Sequence, residues 1–325
     1  MTSPFHPSVR RRAIHGALLL VELLTEELPP KALARLMEAF SRGIFDGLKE
    51  KNFLAGAAES RPYATPRRLA VVISDVLDKQ PDRVVERKGP AVATALDAAG
   101  NPTPALLGFA KSCGVDVAKL ARRPGDKGEY FVYSSKQKGE ALKQHLAAIV
   151  EMALKKLPIP KVMRWGSGEA QFVRPVHGVI LMHGNKTVPG TVLGLKSSNK
   201  TLGHRFLGKG LITIKQTRDY EKILKQSGKV FASFEARREA IAKALDAEAR
   251  KITPGADWNL GKTAELIDEV TSLVEYPVTL AGGFDKAFLE VPKECLIISM
   301  QQHQKYFPVA DKDGKLLPRF LFVSN

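Results

Sequence analysis

Cysteine is scarce in this sequence, which has two cysteines among 325 residues. Cys113 and Cys295 lie far apart, so they provide neither a disulfide framework nor the closely paired spacing of a zinc site. Low cysteine usage is typical of proteins that work in a reducing compartment, and we expect a cytoplasmic location.

Long apolar runs are also absent, because no stretch approaches the roughly 18 uncharged apolar residues that a membrane-spanning helix needs. The N-terminus resembles a signal peptide, since the basic residues 10–12 precede the apolar residues 17–21. However, Glu22 interrupts that run and no small-residue cleavage site follows. We predict that residues 1–17 form a flexible basic tail and that no membrane is bound. An organelle presequence is the less favoured alternative.

The motifs of a complete active site are missing as well. There is no G-x-S-x-G elbow and no H-E-x-x-H zinc motif, and His177, His204 and His303 lack a His or Cys at ligand spacing. Residues 203–210 nearly match a phosphate-binding loop, but Gly210 replaces the hydroxyl residue that would hold magnesium. The flanking strand and helix of such a loop are also lacking. We predict no catalytic residue, no metal site and no cofactor in this chain.

Positive charge, by contrast, is abundant. Lysine and arginine number 50 against 34 acidic residues, which leaves a formal net charge of +16. A basic surface of this size attracts polyanions through phosphate neutralisation and counterion release. The charge balance therefore favours a nucleic-acid partner, with a merely solvated basic surface as the alternative.

The hydrophobic pattern predicts a mixture of strands and helices in no regular order. Strands are expected at 18–24, 69–76, 129–134, 173–182, 187–195, 211–214, 278–281, 306–309 and 316–323. Helices are expected at about 30–51, 102–113, 141–157, 219–252 with a break near Gly228, 263–274 and 292–304. This pattern indicates an α+β fold with mixed or antiparallel sheets and flanking helices.

Two α+β lobes are expected, at residues 18–160 and 161–325, and they join where prolines follow the helix 141–157. The alternative is that the second lobe forms one unit with part of the first. The sequence stops within a predicted strand, so we expect it to be part of a longer protein.

Candidate RNA contacts are basic residues in loops that contain proline, glycine or a neighbouring aromatic residue. They are Arg67, Arg68, Arg164, Arg174, His204, Arg205, Lys209 and Lys305. Guanidinium groups suit phosphate oxygens, and adjacent aromatic rings suit unstacked bases. For each residue the alternative is a structural ion pair, a hydrogen bond or a solvated side chain.

Two other groups invite a catalytic interpretation. Residues 163–177 hold Arg164, Arg174 and His177, but no nucleophile or metal partner accompanies them, so we favour a proline-stiffened corner that enters a core strand. Glu26 and Glu27 precede the predicted helix 30–51, where carboxylates are stabilised by the helix dipole. That placement is preferred over a catalytic pair of carboxylates.

Six separated stretches together resemble one family, the beta subunit of bacterial heterotetrameric glycyl-tRNA synthetase. They are residues 19–31 (LLVELLTEELPPK), 64–70 (ATPRRLA), 163–166 (MRWG), 172–177 (FVRPVH), 203–206 (GHRF) and 300–307 (MQQHQKYF). The resemblance runs in order from about residue 18 to the last residue. Leu23 and Leu24 replace the commoner Ile-Gly pair of the family.

The resemblance implies a division of labour. In this family the alpha subunit activates glycine with ATP and Mg and transfers it to tRNA(Gly), while the beta subunit binds tRNA within an alpha2beta2 assembly. It also implies a fold similar to the B3/4 module of the phenylalanyl-tRNA synthetase beta subunit. The family's HD-type and anticodon-binding regions are expected to be absent from this sequence. A tRNA-binding, non-catalytic subunit is thus predicted, and an editing-type hydrolase acting on mischarged tRNA is the alternative.

Overall fold

The computed structural model describes residues 16–125 and 128–325. The strands are β1 (Ala17–Thr25), β2 (Ser60–Thr65), β3 (Arg68–Val76), β4 (Arg83–Ala91), β5 (Ala121–Arg123), β6 (Tyr130–Gln137), β7 (Met163–Arg164), β8 (Gln171–Phe172), β9 (Val176–His183), β10 (Lys186–Thr187), β11 (Thr191–Val192), β12 (Leu195–Lys196), β13 (Lys200–Leu202), β14 (Leu211–Thr213), β15 (Val278–Gly283), β16 (Phe307–Ala310) and β17 (Leu316–Ser324). The predicted tail 1–17 lies outside the described residues except for its last two positions.

The α-helices are α1 (Leu33–Glu50), α2 (Val92–Ala95), α3 (Pro104–Cys113), α4 (Leu146–Lys155), α5 (Tyr220–Gln226), α6 (Phe234–Ile252), α7 (Thr263–Thr271) and α8 (Lys293–Ile298). A π-helix, Ser299–Gln304, continues directly from α8. Short 3-10 helices lie at Pro30–Ala32, Val117–Lys119, Leu142–Gln144, Thr217–Asp219 and Lys286–Glu290.

The described chain divides into two compact units. Residues 79–141 form the smaller unit, and residues 16–78 together with 142–325 form the larger one. The main sheet of the larger unit takes β1, β2 and β3 from the first predicted lobe and β9 and β10 from the second. The predicted lobe boundaries at residues 18–160 and 161–325 stay a prediction.

The larger unit is built around a five-stranded antiparallel sheet with the order β10-β9-β1-β3-β2. Its central strand is β1, in which Val21 lies opposite Val71 on one side and Leu181 on the other. Successive side chains of a strand point to opposite faces. Both faces of β1 are covered, so residues 19–24 are all buried, including the single charged residue Glu22.

One face of this sheet packs against α1 and α4. The buried face of α1 repeats with helical spacing and consists of Leu33, Leu36, Met37, Phe40, Ile44 and Leu48. The two helices approach closely at Gly47, where a Cβ atom would lie 2.6 Å from Cγ2 of Ile149. The opposite face of the sheet packs against α5, with Leu20, Ile180 and Tyr220 in one apolar cluster.

Residues 234–325 of the larger unit contain a second antiparallel sheet with the order β15-β17-β16. Helices α6 and α7 share an apolar cluster with this sheet, and its members include Ile241, Leu245, Leu266, Phe307 and Leu321. The side chain of Ser233 caps α6, because its Oγ accepts a hydrogen bond from the backbone N of Ala236 at 3.1 Å.

The smaller unit has a three-stranded antiparallel sheet with the order β4-β6-β5 and the helices α2 and α3. Its core consists of Ala95, Leu106, Ala110, Leu120 and Phe131. It is a separate small core with its own secondary structure.

The predicted α+β class is confirmed, since the sheets are antiparallel and helices pack beside them. The prediction of one strand at 187–195 is wrong. That segment forms three short strands instead, because Pro189 cannot donate to a ladder and Gly194 turns the chain with φ +78° between β11 and β12. The helix expected at 292–304 is confirmed as a continuous helical segment, although its second half is a π-helix.

Candidate nucleic-acid interface at one end of the central sheet

The ends of three neighbouring strands of the central sheet lie together and form one edge of it. Because the pairing is antiparallel, the end of β1 lies beside the starts of β3 and β9. The segment after β1 is hydrogen-bonded on both sides: Thr25 N donates to Arg67 O at 2.8 Å, and Glu26 N donates to Pro175 O at 2.9 Å. Leu28 N also donates to Pro66 O at 2.6 Å. Residues from three separate sequence motifs are therefore held together by backbone contacts.

Glu26 lies at the centre of the polar side chains at this edge. One of its carboxylate oxygens is 2.8 Å from His177 Nε2, and the other accepts a hydrogen bond from Arg205 Nη2 at 3.0 Å. Partial burial raises the pKa of Glu26. The hydrogen bond with His177, together with the charges of Arg67 and Arg205, outweighs burial and lowers the pKa below its ordinary value. The carboxylate is thus held ionised among basic groups.

Two further arginines flank Glu26. Arg174 is exposed, and its Nε donates to the backbone oxygen of Glu27 at 2.9 Å. Arg67 is half-buried, and its Nε makes no hydrogen bond with any residue that the structure describes. Counting Glu26 and Glu27 against Arg67, Arg174 and Arg205 leaves one net positive charge with His177 neutral.

The loop 203–210 brings a fourth motif to this edge. Arg205 reaches Glu26, the ring of Phe206 beside it is 82% exposed, and Lys209 is exposed as well. An exposed ring next to a guanidinium suits stacking with an unpaired base. The side chains of residues 26, 67, 174, 177, 205 and 206 are called the sheet-edge cluster below.

His204 does not belong to the exposed part of this loop, and its role as an RNA contact stays a prediction. The side chain is buried, with 3% exposed. Its Nδ1 accepts hydrogen bonds from the backbone N of Phe206 at 3.3 Å and of Leu207 at 3.2 Å. Its Nε2 consequently carries the proton and donates to Asn325 Oδ1 at 3.0 Å. His204 shapes the loop that presents Arg205.

Arg68 is also buried, and its contact with RNA stays a prediction. None of it is exposed, because β3 begins at this residue and its side chain points into the face of the sheet that carries Glu22. Its Nε lies 3.4 Å from Glu22 Oε2, and its Nη1 lies 3.8 Å from Glu275 Oε1. Its Nη2 donates to Leu202 O at 2.6 Å. Burial alone would lower the pKa of Arg68, but the charges of Glu22 and Glu275 raise it.

The two carboxylates that flank Arg68 have further buried partners. Glu22 accepts hydrogen bonds from the hydroxyls of Thr201 and Tyr220, and Glu275 accepts one from Thr65 Oγ1 at 2.6 Å. Burial, followed by the charge of Glu22, raises the pKa of Tyr220 well above its ordinary value. These residues with Arg68 form the buried network, which lies on the α5 side of the sheet.

A second buried arginine lies next to this network. Arg237 of α6 donates to the backbone oxygens of Thr271 at 3.0 Å and Ala64 at 2.8 Å, and also to those of Phe231 and Ser233. Burial lowers the pKa of Arg237 to about 10, so it still carries its charge at neutral pH. Arg237 thereby connects α6 to β2 of the central sheet.

Arg164 and Lys305 make their ion pairs outside the sheet-edge cluster. Arg164 lies in the β7–β8 hairpin, where its Nη1 is 3.4 Å from the carboxylate of Glu169. Lys305 follows the π-helix and is 3.0 Å from the carboxylate of Glu269. Among the predicted contacts, the structure brings together Arg67, Arg174 and Arg205, and these remain accessible to a partner.

The sheet-edge cluster presents basic side chains to solvent around the carboxylate of Glu26. A histidine held by a carboxylate is part of a hydrolytic triad, but Glu26 is the only side chain that hydrogen-bonds His177 among the described residues. Within 16–125 and 128–325 no group of three metal-ligating side chains occurs. No helix in that part of the chain is long and apolar enough to cross a membrane.

Sequence reasoning missed the roles of Glu22 and Glu26. A single carboxylate in the apolar run 18–24 signals a buried ion pair, because a glutamate is almost never fully buried without a partner. For Glu26 the sequence favours an interaction with the helix dipole, whereas its side chain is occupied by His177 and Arg205. These partners lie about 150 and 180 positions further along the chain, and no local pattern identifies them.

Comparison with known proteins gives one consistent result. The sequence profile of the family described as glycyl-tRNA synthetase beta subunit matches residues 19–325. The chain is 51% identical over 309 residues to the glycine–tRNA ligase beta subunit of Neisseria meningitidis serogroup C / serotype 2a, which covers 94% of this chain and 44% of that protein. It is 49% identical to the beta subunits of Marinobacter nauticus and Aromatoleum aromaticum, with 94% and 95% of this chain and 43% and 44% of those proteins covered. The chain therefore spans less than half the length of these relatives. On this match, the chain belongs to the family of glycyl-tRNA synthetase beta subunits.

Proposed function

We propose that this chain contributes to glycyl-tRNA synthesis as a tRNA-binding, non-catalytic part of a glycine–tRNA ligase beta subunit. The observation that supports this most is the sheet-edge cluster, in which basic side chains from three separated motifs surround a carboxylate from a fourth. Arginine and lysine on loops next to an exposed aromatic ring match the phosphates and unpaired bases of RNA.

The proposal includes the partners that such a role requires. An alpha subunit would activate glycine with ATP and Mg and transfer it to tRNA(Gly), and an alpha2beta2 assembly in the cytoplasm would join the two subunit types. The residues of this chain would hold and orient tRNA, with no ATP site of their own. The fold would correspond to the B3/4 module of the phenylalanyl-tRNA synthetase beta subunit.

The direct test is the affinity of the chain for labelled tRNA(Gly), measured by fluorescence anisotropy over a series of salt concentrations. We expect Arg205→Gln to weaken binding. We also expect the slope of log K against log salt concentration to become shallower by about one, the change expected for losing one phosphate contact. Removing a guanidinium that contacts phosphate also removes one released counterion, and this is why the slope changes.

Arg238 provides a matched control for Arg205. Its side chain is 44% exposed against 47% for Arg205, and each arginine is held by an exposed ion pair. Arg238 pairs with Asp268, and Arg205 pairs with Glu26 and, at 4.0 Å, with Glu27. Arg238→Gln removes the same charge from α6. Equal weakening by both substitutions would show that only net charge matters and would count against the sheet edge as the interface.

Aminoacylation assays test the wider role. Co-expression with an alpha subunit should give glycylation of tRNA(Gly) with a full-length beta subunit, and Arg205→Gln in that subunit should raise the KM for tRNA. If Arg205→Gln instead left the KM for tRNA unchanged at every salt concentration, direct RNA contact at the sheet edge would be refuted.

The structure gives the editing-type hydrolase no support, because His177 has a carboxylate partner but no nucleophile in hydrogen-bond contact among the described residues. A purified chain that released amino acid from mischarged tRNA, and lost that activity on His177→Ala, would support the hydrolase. We expect no such release, and a buried residue such as His204 serves poorly as a test because its substitution disturbs the loop.

A further inference from the structure

The π-helix Ser299–Gln304 contains a motif that the sheet-edge cluster does not use. Each backbone hydrogen bond of a π-helix spans five residues instead of the four of an α-helix, and π-helical turns are often found at functional sites. Here it continues from α8 and is followed by Lys305, a non-glycine residue with φ +59°. That backbone conformation is sparsely populated, so the surrounding contacts must stabilise it.

Two side chains hold this turn in place. Gln301 is buried, and it accepts a hydrogen bond from Lys262 N at 3.1 Å and donates one to Leu260 O at 2.6 Å. The Nζ of Lys305 donates to the backbone oxygen of Gln302 at 2.9 Å and lies 3.0 Å from the carboxylate of Glu269. At Gly261, where φ is +61°, a Cβ atom would lie 2.7 Å from Gln301 Oε1, so glycine is required for this contact.

Gln302 and His303 have a different role from Gln301. Both are exposed, and neither side chain makes a hydrogen bond with any part of the chain that the structure describes. They line a cavity of about 560 Å³, together with Lys31, Lys262, Glu265 and Ile298. Lys31 belongs to the segment that continues from Glu26, and its ammonium group has no ion pair among the described residues. The turn is thus fixed by Gln301 and Lys305, whereas Gln302, His303 and Lys31 are left open.

The chemistry of these open groups matches one nucleotide of an RNA strand. A glutamine amide offers a donor and an acceptor side by side, as the edge of a nucleobase does. The flat ring of His303 and the half-exposed side chain of Ile298 can contact the face of a base. The lining has three lysines, at 31, 262 and 305, against Glu265 and Glu269, which leaves one positive charge for a phosphate.

We propose that this cavity holds one unstacked nucleotide of the bound RNA, with Gln302 and His303 on the base and Lys31 on its phosphate. The volume lies within the range of about 300–1,000 Å³ that is usual for small-molecule sites. The loop that would cradle a triphosphate is lacking from the lining, and a single free lysine fits one phosphate better than three. The inference rests on the proposed function, since it names a further RNA contact of the same subunit.

The test uses the whole chain and two probes, a 5′-labelled single-stranded RNA hexamer and labelled tRNA(Gly), each followed by fluorescence anisotropy. We expect the double substitution Q302A/H303A to weaken hexamer binding about tenfold, because loss of base contacts typically has an effect of this size. Lys31→Ala, on a different element, should weaken hexamer binding and reduce its salt dependence. A melting curve for each variant confirms that it folds.

The π-helix itself offers a matched control. Gln304 is the same residue type two positions after Gln302, but it lines a neighbouring cavity with Tyr306 and Phe320. Gln304→Ala should leave hexamer affinity unchanged, and so should Lys49→Ala, which removes an exposed lysine from the last turn of α1. Equal effects of Gln304→Ala and Q302A/H303A would overturn the inference.

The outcomes separate this inference from the proposed function. If Arg205→Gln weakens tRNA binding while Q302A/H303A and Lys31→Ala leave the affinity for both probes unchanged, the subunit binds tRNA but the cavity does not hold a nucleotide. If the wild-type chain binds neither probe at physiological salt, the proposed function fails first. The third outcome is that Q302A/H303A weakens hexamer binding while Arg205→Gln leaves the affinity for tRNA unchanged. That result supports the cavity as a nucleotide site and does not support the sheet-edge interface.

Discussion

Arg67 and Arg68 are neighbours in the chain but lie in opposite environments. Arg67 ends the turn before β3 and contributes charge to the exposed sheet-edge cluster, whereas Arg68 begins the strand and is completely buried. The same residue type therefore serves two purposes. In the sheet-edge cluster, solvent screens each ion pair and the groups remain available to a partner. In the buried network, Arg68 satisfies carboxylates that have no access to water.

The comparison teaches that basic charge alone does not identify a binding residue. Exposed ion pairs contribute little to stability, typically below about 1 kcal/mol, while a buried charge that loses its partner is strongly destabilising. Substitutions in the two regions should therefore differ in which quantity they change. The buried network should govern the free energy of unfolding, and the sheet-edge cluster should govern RNA affinity.

The largest effect is expected for Arg68→Met, which leaves Glu22 and Glu275 buried without their shared cation. We expect the free energy of unfolding to fall by about 3–5 kcal/mol, the range for breaking a buried pair. Urea denaturation measures this change, and Arg67→Met is the control, with an expected loss below about 1 kcal/mol. Equal losses for the two variants would contradict the contrast drawn between these neighbours.

Tyr220→Phe should have the next largest effect, because it removes the hydroxyl that donates to the buried Glu22. A hydrogen bond to a charged group contributes about 1.5–3 kcal/mol, and thermal melting should show a loss of this size. Tyr63→Phe is the matched control. Tyr63 packs edge-on against Tyr220, but its hydroxyl donates at 3.3 Å to Glu221, which is partly exposed. A larger loss for Tyr63→Phe would refute the importance of the Glu22 hydrogen bond.

Glu26→Gln should change affinity more than stability. The carboxylate is 37% exposed, so the free energy of unfolding should change by less than about 1 kcal/mol. Without it, Arg205 and His177 lose a competing anion, and tRNA affinity at low salt should rise by about threefold to tenfold. Anisotropy titrations check this, with Glu239→Gln, an exposed pair with Lys243, as the control. Weaker tRNA binding by Glu26→Gln would contradict this prediction and would show that Glu26 orients Arg205 for RNA.

The smallest effect concerns pH. Because the folded pKa of Glu26 is lowered, its ionised form stabilises the fold above the unfolded-state pKa of about 4.3. That contribution is lost as the pH falls through the folded pKa. The stability difference between wild type and Glu26→Gln should therefore be constant near neutral pH and vanish in acid. If the stability difference between wild type and Glu26→Gln instead grew as the pH fell below about 4, the lowered pKa of Glu26 would be contradicted.

Much of the fold could be predicted from local patterns. The helical spacing of residues 33–48 and the apolar run 18–24 identify α1 and β1, because each pattern reflects burial of one face or of a whole strand. The division of 187–195 could not be predicted, since two glycines and a proline outweigh the β-branched residues there.

The candidate site was only partly predictable. Basic residues at motifs were identified, but whether a side chain is buried depends on strand register, and a shift of one residue exchanges the two faces. Glu22 accepts hydrogen bonds from Thr201 and Tyr220, which lie 179 and 198 positions further along the chain. Thr65 donates one to Glu275, 210 positions further along. Partners at such distances leave no periodic pattern in the sequence.

The way the chain leaves and re-enters the larger unit has a consequence for engineering. Leu142 N donates to Asp78 O at 2.8 Å, so the two points between which residues 79–141 are inserted touch each other. The entropic cost of closing a loop rises only slowly as the loop becomes longer. This junction should therefore accept a short glycine–serine bridge or a foreign domain with neighbouring termini, which makes residues 78 and 142 a natural grafting point in the scaffold.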